Sequence, residues 1–280
     1  MKHFFLITNS EKDTMFVTTK EIENYIRNKG ATCSHQNAFM DGAVVMDVSK
    51  IPDDVECVMV LGGDGTLIKA ARELINRDVS LIGINYGNLG YLTEVEKSDI
   101  FSTIDRLIED DFTTERRMML SAEVIRAGEV IHKSSALNDV VISKSGTIKV
   151  LKFKVYVNGQ FIYTYSADGF IASTPTGSTA YNLSAGGPIV EPCASSIVLT
   201  PVSPHSLISR SIVLSADSIV EIEMCRGKSG ESYVYYDGDD ICNLLSGDRI
   251  VIKRSEAYTR IVRLSDISFF ETLQKKMSNR

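Results

Sequence analysis

The chain has 280 residues, of which 44% are hydrophobic and 24% charged, and its formal net charge is −6. This composition is that of a globular protein rather than a disordered one, and the length predicts two domains. The acidic balance argues against a nucleic-acid partner. The first apolar run is too short for a signal peptide, and no run approaches the roughly 18 apolar residues of a membrane span. The sequence therefore predicts a cytoplasmic protein without a membrane partner.

The first hundred residues alternate between strand and helix patterns. Strands are predicted at 4–8, 57–61 and 81–84, and helices at about 20–28, before Gly30, and over 66–77. In the second helix, apolar residues recur at helical spacing along one face. This βαβ pattern indicates a parallel sheet with helices on its faces, where ligands bind beyond the carboxyl ends of the strands.

After about Arg117 the pattern changes to short alternating strands with tight turns. The clearest example is "KFKVYVNGQFIYTY", in which Asn158 and Gly159 predict a two-residue hairpin turn. We therefore predict a Rossmann-like α/β domain over 1–117 and a mainly β domain over 118–266. A C-terminal helix within 267–280 is predicted to pack back on the first domain.

A glycine-rich turn, "GGDGTL" at Gly62–Leu67, separates a predicted strand from a predicted helix. Glycines let a ligand approach the backbone, and free amides at a helix start favour an anion. Asp64 would repel that anion unless a cation bridges them or the carboxylate faces a hydroxyl, and both arrangements suit phosphoryl transfer. The alternative is that Asp64 only caps the helix.

Two basic residues follow one turn into the same predicted helix. Lys69 and Arg72 are the nearest cationic candidates for the phosphates of a phosphoryl donor. The alternative for both is a solvated helix face, on which Lys69 pairs with Glu73.

A second unusual segment, "ADGFIASTPTGSTAYNLSAGGPIV" at Ala167–Val190, is rich in hydroxyl groups and glycine, and Tyr181 offers a ring for stacking. Such a surface suits a base and its ribose, although it could also be a Ser/Thr-rich turn. Asn138 and Asp139 precede an apolar strand and could contact an adenine edge and ribose hydroxyls, or form a turn.

In this order and at these separations, the three motifs closely resemble those of NAD kinases, which phosphorylate NAD to NADP. The resemblance covers essentially the whole chain and includes "NYGNLGYL", "LTPVSPHSLISR" and "YYDGDD". The GGDG turn is shared with lipid kinases and phosphofructokinases, whereas "TPTGSTAY" is highly specific. Two positions differ from the family pattern: Asp139 stands where many relatives have glutamate, and Asp239 where glutamine is frequent.

The resemblance implies a role for each matching residue. Asp64 would be the general base on the 2′-hydroxyl of the adenosine ribose, and Asp237 would lie close to that hydroxyl. Asp168 would reach the nicotinamide end, in many members across a subunit interface. The full implied set of substrate-binding residues is Gly65, Tyr91, Asn138, Asp139, Lys149, Ser166, Asp168, Thr176, Thr179, Ala180, Tyr181, Ser184 and Asp237.

The resemblance also implies the fold and the co-reactants. It implies a phosphofructokinase-like α/β domain followed by a β domain, with ATP or polyphosphate as donor and Mg²⁺ or another divalent cation. It implies a homodimer or homotetramer, and it assigns no metal ligand. Two other functions stay open at this point: a GGDG kinase acting on a lipid or sugar, and a non-catalytic protein that senses NADP.

Overall fold

A computed structural model describes residues 1–40, 43–86, 90–146, 149–205, 210–225, 231–264 and 267–278. Residues 87–89 of "NYGNLGYL" and 206–209 of "LTPVSPHSLISR" therefore lie outside the described residues. The chain divides into two compact units, residues 1–116 with 259–280 and residues 117–258.

The first unit begins with strands and helices in alternation. Its elements are β1 (His3–Thr8), α1 (Val17–Asn28), β2 (Thr32–Asn37), β3 (Phe39–Met40), β4 (Ala43–Val44), β5 (Cys57–Gly62), α2 (Asp64–Glu73), β6 (Ser80–Asn85), β7 (Val95–Glu96) and α3 (Ile100–Ile108). Short 3-10 turns lie at Thr14–Phe16, Val48–Lys50 and Lys97–Asp99. The strands and helices predicted in this region are present, with end points that differ by a few residues.

The sheet of the first unit is parallel and has the order β2-β1-β5-β6-β7. Every residue of β5 and β6 is buried, as expected for a parallel sheet covered on both faces. The chain leaves β1 towards β2 and leaves β5 in the opposite direction towards β6. The carboxyl ends of β1 and β5 therefore form a switch point, which is where open α/β sheets bind ligands.

Helix α2 is shorter than the predicted 66–77. It begins at Asp64, directly after Gly63, and it ends at Glu73. Leu74 closes the helix through a bond from its amide to Ala70 O, and Arg77 donates to the carbonyl of Ile51 at 2.9 Å. The chain turns here because it must enter β6 a few residues later.

The second unit is built almost entirely of strands. Its elements are β8 (Thr113–Arg126), β9 (Glu129–Ala136), β10 (Asp139–Lys144), β11 (Leu151–Val157), β12 (Gln160–Ala167), β13 (Gly169–Ser173), α4 (Tyr181–Ser184), β14 (Ser196–Val202), β15 (Ile212–Ser215), β16 (Val220–Met224), β17 (Ser232–Tyr236), β18 (Asp240–Leu244) and β19 (Arg249–Arg263). A 3-10 turn lies at Thr176–Thr179. Strand β8 begins in the first unit, and β19 ends there.

Two antiparallel strand sets form most of the second unit, β15-β14-β13-β10-β17-β18 and β12-β11-β16-β19, and β8 pairs with both β19 and β9. Side chains from both sets meet in one core that includes Phe153, Phe170 and Tyr236. The predicted hairpin is present between β11 and β12. Its turn residues Asn158 and Gly159 both have positive φ, 51° and 77°, as a two-residue hairpin turn requires.

The C-terminal part of the chain belongs to the first unit. Arg260 and Ile261 near the end of β19 pair in parallel with Ser80 and Leu81 of β6, and α5 (Phe269–Ser278) follows. The boundary predicted after residue 266 therefore lies instead within β19, because the last residues of that strand pair with the α/β sheet. Over the described parts of the chain, no helix combines the length and apolar character needed to cross a membrane.

Candidate functional site

Asp64 lies at the carboxyl end of β5, at the switch point of the first unit. Gly63 is the N-cap residue of α2, so Asp64 is the first residue inside the helix. Among the described residues, its carboxylate accepts hydrogen bonds from residues 91–93 and none from its own helix. The alternative that Asp64 serves only as a helix cap is therefore wrong.

Four donors hold the Asp64 carboxylate. The Tyr91 amide donates to Oδ2 at 2.8 Å, and Oδ1 accepts from the Leu92 amide at 3.2 Å and from the Thr93 amide and hydroxyl at 3.1 and 3.0 Å. A carboxylate oxygen has two lone pairs. Within the described residues Oδ2 uses only one of them, so Oδ2 is the atom that can accept a hydrogen bond from a hydroxyl ligand.

Gly90 and Gly65 both lie near Asp64, but a side chain at the two positions would meet different surroundings. A Cβ on Gly90 would stand 2.0 Å from Asp64 Oδ1 and 2.2 Å from Thr93 Oγ1, so the loop approaches the carboxylate closely only because residue 90 has no side chain. Among the described residues, a Cβ on Gly65 would meet nothing within 4 Å, and Gly65 is exposed. No described residue therefore requires glycine at position 65.

The cationic candidates for donor phosphates occupy different surroundings. Arg72 is only 8% exposed, and its guanidinium lies 3.6 Å from Glu73, while Lys69 is half-buried on the same helix. Lys12 is exposed after β1, with Nζ 3.6 Å from the position that a Cβ on Gly63 would take. Lys12 was not predicted from the sequence, because only the pairing of β1 with β5 brings the two loops together.

A cavity of about 390 Å³ lies within the second unit. Its lining residues are Asn138, Asp139, Val141, Ser143, Ala180, Tyr181, Tyr235, Asp237 and Gly238. The structure thus brings together five residues that the sequence analysis selected, from three separate motifs. Val141 and Ser143 were missed, although alternation along β10 places them on the same face as Asp139.

The carboxylate of Asp237 binds backbone at the edge of this cavity. It accepts hydrogen bonds from the amides of Leu137, Asn138 and Asp139 at 2.8, 2.7 and 3.1 Å. Asp237 has a positive φ of 52° in the turn that it forms with Gly238. This turn aims the carboxylate at the peptide that carries Asn138 and Asp139, so Asp237 fixes the position of both side chains.

Asp139 is a buried acid in the same cavity, only 5% exposed. Burial, and secondarily the charge of Asp237, raises the pKa of Asp139 to about 7. Near neutral pH the carboxyl group is therefore divided between a protonated form, which can donate a hydrogen bond, and an ionised form, which only accepts.

We expect Asp139 to make the free energy of unfolding fall as the pH rises from about 4 to about 7. The folded protein holds a proton on Asp139 over this range, and the unfolded chain does not, because the pKa of a solvated aspartate is about 3.9. The slope from this group is at most about 1.4 kcal/mol per pH unit. In the Asp139→Asn variant the free energy of unfolding should depend less on pH, which urea unfolding at pH 5 and pH 8 would measure. Parallel pH dependences for the two proteins would contradict the raised pKa.

The hydroxyls of the "TPTGSTAY" segment largely bind the protein itself. Thr174 donates to Leu137 O at 2.6 Å, and Thr176, only 6% exposed, accepts from Arg117 Nη1 at 3.4 Å. Thr176 does not line the cavity, and its implied contact with the substrate stays a prediction. The segment presents its later residues, Ala180 and Tyr181, to the cavity instead.

Close packing explains why this segment has glycine and asparagine at two positions. A Cβ on Gly177 would stand 2.1 Å from Asn138 O. Asn182 is fully buried, and its side chain donates to Ser178 O and Pro188 O at 3.1 and 3.0 Å. The segment is thus fixed against the peptide of Asn138.

The remaining implied residues do not line the cavity. Lys149 is exposed just before β11, and Ser184 is exposed on α4. Asp168 Oδ1 lies 2.6 Å from Lys144 Nζ, and the carbonyl of Ser166 accepts from the His205 amide at 2.8 Å. Thr179 is half-buried and donates to Thr176 O at 3.4 Å.

The described residues contain no group of three or more His, Cys, Asp or Glu side chains placed to hold a metal ion. Mg²⁺ is commonly bound through one or two carboxylates together with substrate phosphates rather than in a cage of protein ligands. The described side chains thus do not fit a cage for a resident cation.

Two family comparisons cover most of the chain. Residues 6–112 match the ATP-NAD kinase N-terminal domain, and residues 137–264 match the ATP-NAD kinase C-terminal domain. An NAD kinase of Lachnospira eligens is 45% identical over 293 residues, covering 99% of this chain and all of the relative. An NAD kinase of Agathobacter rectalis is 46% identical over 286 residues, covering all of this chain and 99% of the relative.

Solved structures share the fold at low sequence identity. Yeast NADH kinase complexed with NADH aligns with a TM-score of 0.86 and 19% identity, over 99% of this chain and 88% of that chain. An NAD kinase from Archaeoglobus fulgidus in complex with ATP aligns with a TM-score of 0.79 and 22% identity, over 99% of both chains. The predicted fold class and the predicted family are both confirmed: the chain belongs to the NAD kinase family.

Proposed function

We propose that this protein transfers the terminal phosphoryl group of ATP to the 2′-hydroxyl of the adenosine ribose of NAD, giving NADP and ADP. The observation that carries the proposal is the likeness to NAD kinases at 45% and 46% identity over essentially the whole length of the chain. Polyphosphate is the second candidate donor. Neither alternative function accounts for this likeness.

Asp64 is proposed as the general base. The 2′-oxygen attacks the terminal phosphorus, the new oxygen–phosphorus bond forms as the bond to the leaving phosphate breaks, and the hydroxyl proton passes to Asp64 Oδ2. This oxygen accepts one hydrogen bond, from the Tyr91 amide at 2.8 Å, and keeps a lone pair for the hydroxyl. Because the other donors fix the carboxylate, it needs no rearrangement when the substrate binds.

The cavity of the second unit is proposed to bind the nucleoside. Tyr181 is 44% exposed and offers its ring for stacking, and the amide of Asn138 offers both donor and acceptor groups. Asp139 can accept from ribose hydroxyls when ionised. The residues that stay predicted contacts to the dinucleotide outside this cavity are Gly65, Tyr91, Lys149, Ser166, Asp168, Thr176, Thr179 and Ser184.

One assay tests the activity and separates it from the alternatives. The protein is incubated with NAD, Mg²⁺ and either ATP or polyphosphate, and NADP is measured with a dehydrogenase that accepts only NADP. We expect NADP with at least one donor. Folded protein that yields no NADP from either would refute the proposal. Tight NADP binding without turnover would favour the sensor, and phosphorylation of a lipid or sugar instead of NAD would favour the other kinase.

Lys12 is proposed to bind the phosphates of the donor, because its ammonium lies beside the glycine turn at the switch point. A hydrogen bond to a charged group contributes about 1.5–3 kcal/mol, so Lys12→Met should lower kcat/KM for the donor by roughly tenfold to a hundredfold. Lys69→Met should have a smaller effect. The control is Lys20→Met, on the exposed side of α1. Equal kinetics for Lys12→Met and the control would contradict the assignment.

Three further properties of the proposed enzyme are predictions from the sequence and the family resemblance. We expect a cytoplasmic location, assembly into a homodimer or homotetramer, and a requirement for Mg²⁺ or another divalent cation. Chelation by EDTA should abolish NADP formation, and an excess of Mg²⁺ should restore it.

A further inference from the structure

The C-terminal helix of the first unit reaches the loop that holds Asp64. Lys276 of α5 places its ammonium 4.0 Å from the centroid of the Tyr91 ring. An ammonium over the face of an aromatic ring is attracted by the ring quadrupole. The side chain of Tyr91 thus contacts the C-terminal helix, while its backbone amide donates to Asp64 Oδ2 at 2.8 Å.

A second connection joins the same two segments. Arg263 Nη1 lies 2.6 Å from Glu94 Oε2, and the Leu264 amide donates to Glu94 Oε1 at 3.0 Å. The Arg263 and Glu94 side chains are largely buried, with 14% and 16% exposure. The loop segment 91–94 therefore contacts the C-terminal segment at both of its ends, through Tyr91 and through Glu94. The residues that donate to Asp64 belong to this segment.

Helix α5 is well formed but lightly packed. Ser268 and Glu271 make reciprocal bonds, the Ser268 amide to Glu271 Oε2 at 2.7 Å and the Glu271 amide to Ser268 Oγ at 3.2 Å, which is a capping box. No residue of α5 is buried, and Phe270 and Met277 are 61% and 62% exposed. A cavity of about 370 Å³ is lined by residues of α3, of α5 and of the Tyr91 loop. Elements held this lightly open locally at low free-energy cost.

We propose that Lys276 is a positioning residue for phosphoryl transfer. Lys276 restrains the Tyr91 ring, and this restraint keeps the amides of residues 91–93 hydrogen-bonded to the Asp64 carboxylate. Helix α5 can dock on this loop or detach from it, and the docked fraction sets the fraction of molecules in which the Asp64 carboxylate is held in the reactive position. The inference rests on the proposed role of Asp64 as the base. Lys276 itself touches neither the carboxylate nor the reacting atoms in this assignment.

The test compares Lys276→Met, Lys276→Arg and Lys275→Met. The first variant removes the charge and keeps an apolar side chain, the second keeps a cation for the ring, and the third is the matched control on the same helix. We expect Lys276→Met to lower kcat by roughly threefold to tenfold, as an exposed to partly buried cation–π contact implies. The dissociation constant for NAD should change less than twofold. Lys276→Arg should retain most of the activity, and Lys275→Met should match the wild type.

A structural readout accompanies the kinetics. Hydrogen exchange of the amides of Tyr91, Leu92 and Thr93 should become faster in Lys276→Met by a factor similar to the loss in kcat, and should be unchanged in Lys275→Met. The double variant Tyr91→Leu with Lys276→Met should have the same kcat as Tyr91→Leu alone, because both substitutions remove the same contact. Wild-type kcat and exchange in Lys276→Met, or equal losses in Lys275→Met, would overturn the inference.

Failure of the proposed function is distinguishable from failure of this inference. If the wild type forms no NADP, the proposed function fails, whereas an active wild type with an unaffected Lys276→Met variant refutes only the positioning role. The exchange measurement requires no turnover, so it tests the tie between α5 and the loop in either case.

Discussion

Asp64→Asn is expected to lower kcat by about 10² to 10⁴, the range that general-base catalysis contributes, while NAD binding is largely kept. Two losses contribute. An amide is not a base, and its NH₂ group, if placed at the Oδ2 position, would face the Tyr91 amide, which is also a donor. The measurements are kcat for NADP formation and the dissociation constant of NAD for the folded variant. Turnover within tenfold of the wild type would contradict the assigned role.

The Thr93→Val variant distinguishes the basicity of the Asp64 carboxylate from the effect of its position. Thr93 is fully buried, and valine has a similar shape, so the variant removes the hydroxyl that donates to Asp64 Oδ1 at 3.0 Å and leaves the carboxylate unchanged. We expect a loss in kcat well below that of Asp64→Asn, because three amide donors remain. An equal loss in both variants would mean that Asp64 acts through its structure rather than as a base.

Gly90→Ala is expected to lower kcat by about 10² and to destabilise the fold by about 1–3 kcal/mol. The new Cβ would stand 2.0 Å from Asp64 Oδ1 and 2.2 Å from Thr93 Oγ1. The carboxylate cannot yield without losing the three hydrogen bonds on Oδ1, so either Asp64 or the loop must move. Kinetics together with thermal unfolding would measure both effects.

Gly65→Ala is the contrasting change, because it adds the same methyl group where no atom of the described part of the chain lies within 4 Å. We expect unchanged thermal stability and a weaker apparent affinity for substrate, since only a bound ligand would meet the new group. Gly90→Ala with wild-type kcat and unfolding temperature would contradict the close approach of residue 90 to the carboxylate. A destabilised Gly65→Ala variant would contradict the open surroundings of residue 65.

Much of the fold was predictable because its signals are local. The helical spacing of apolar residues in α2, the buried runs of β5 and β6, and the Asn158–Gly159 turn each depend on a few neighbouring residues. The helix predicted over 66–77 ends at Glu73, and the two compact units divide within β19 rather than after residue 266. The division within β19 reflects the pairing of its last residues with β6, a contact that no local pattern specifies.

Several candidate residues from separate motifs lie close together in the structure. The sequence placed Asn138, Asp139, Ala180, Tyr181 and Asp237 in one site, and the structure groups them around one cavity. Thr176 for the substrate and Arg72 for the donor stay predictions, and in the structure both are buried, with Arg117 and Glu73 as neighbouring groups. Residue type suggested their chemistry, whereas their burial depends on the tertiary structure.

The family, the two kinds of domain and the glycine turn that carries Asp64 can be recognised in the amino-acid order, because those features are encoded in motifs and short-range periodicity. The groups that hold the Asp64 carboxylate cannot be recognised in this way, since its donors at residues 91–93 lie 27 to 29 positions away along the chain. The same is true of Lys12 beside the turn and of Lys276 over the Tyr91 ring. Strand order and packing, rather than neighbouring residues, bring these groups within a few ångströms.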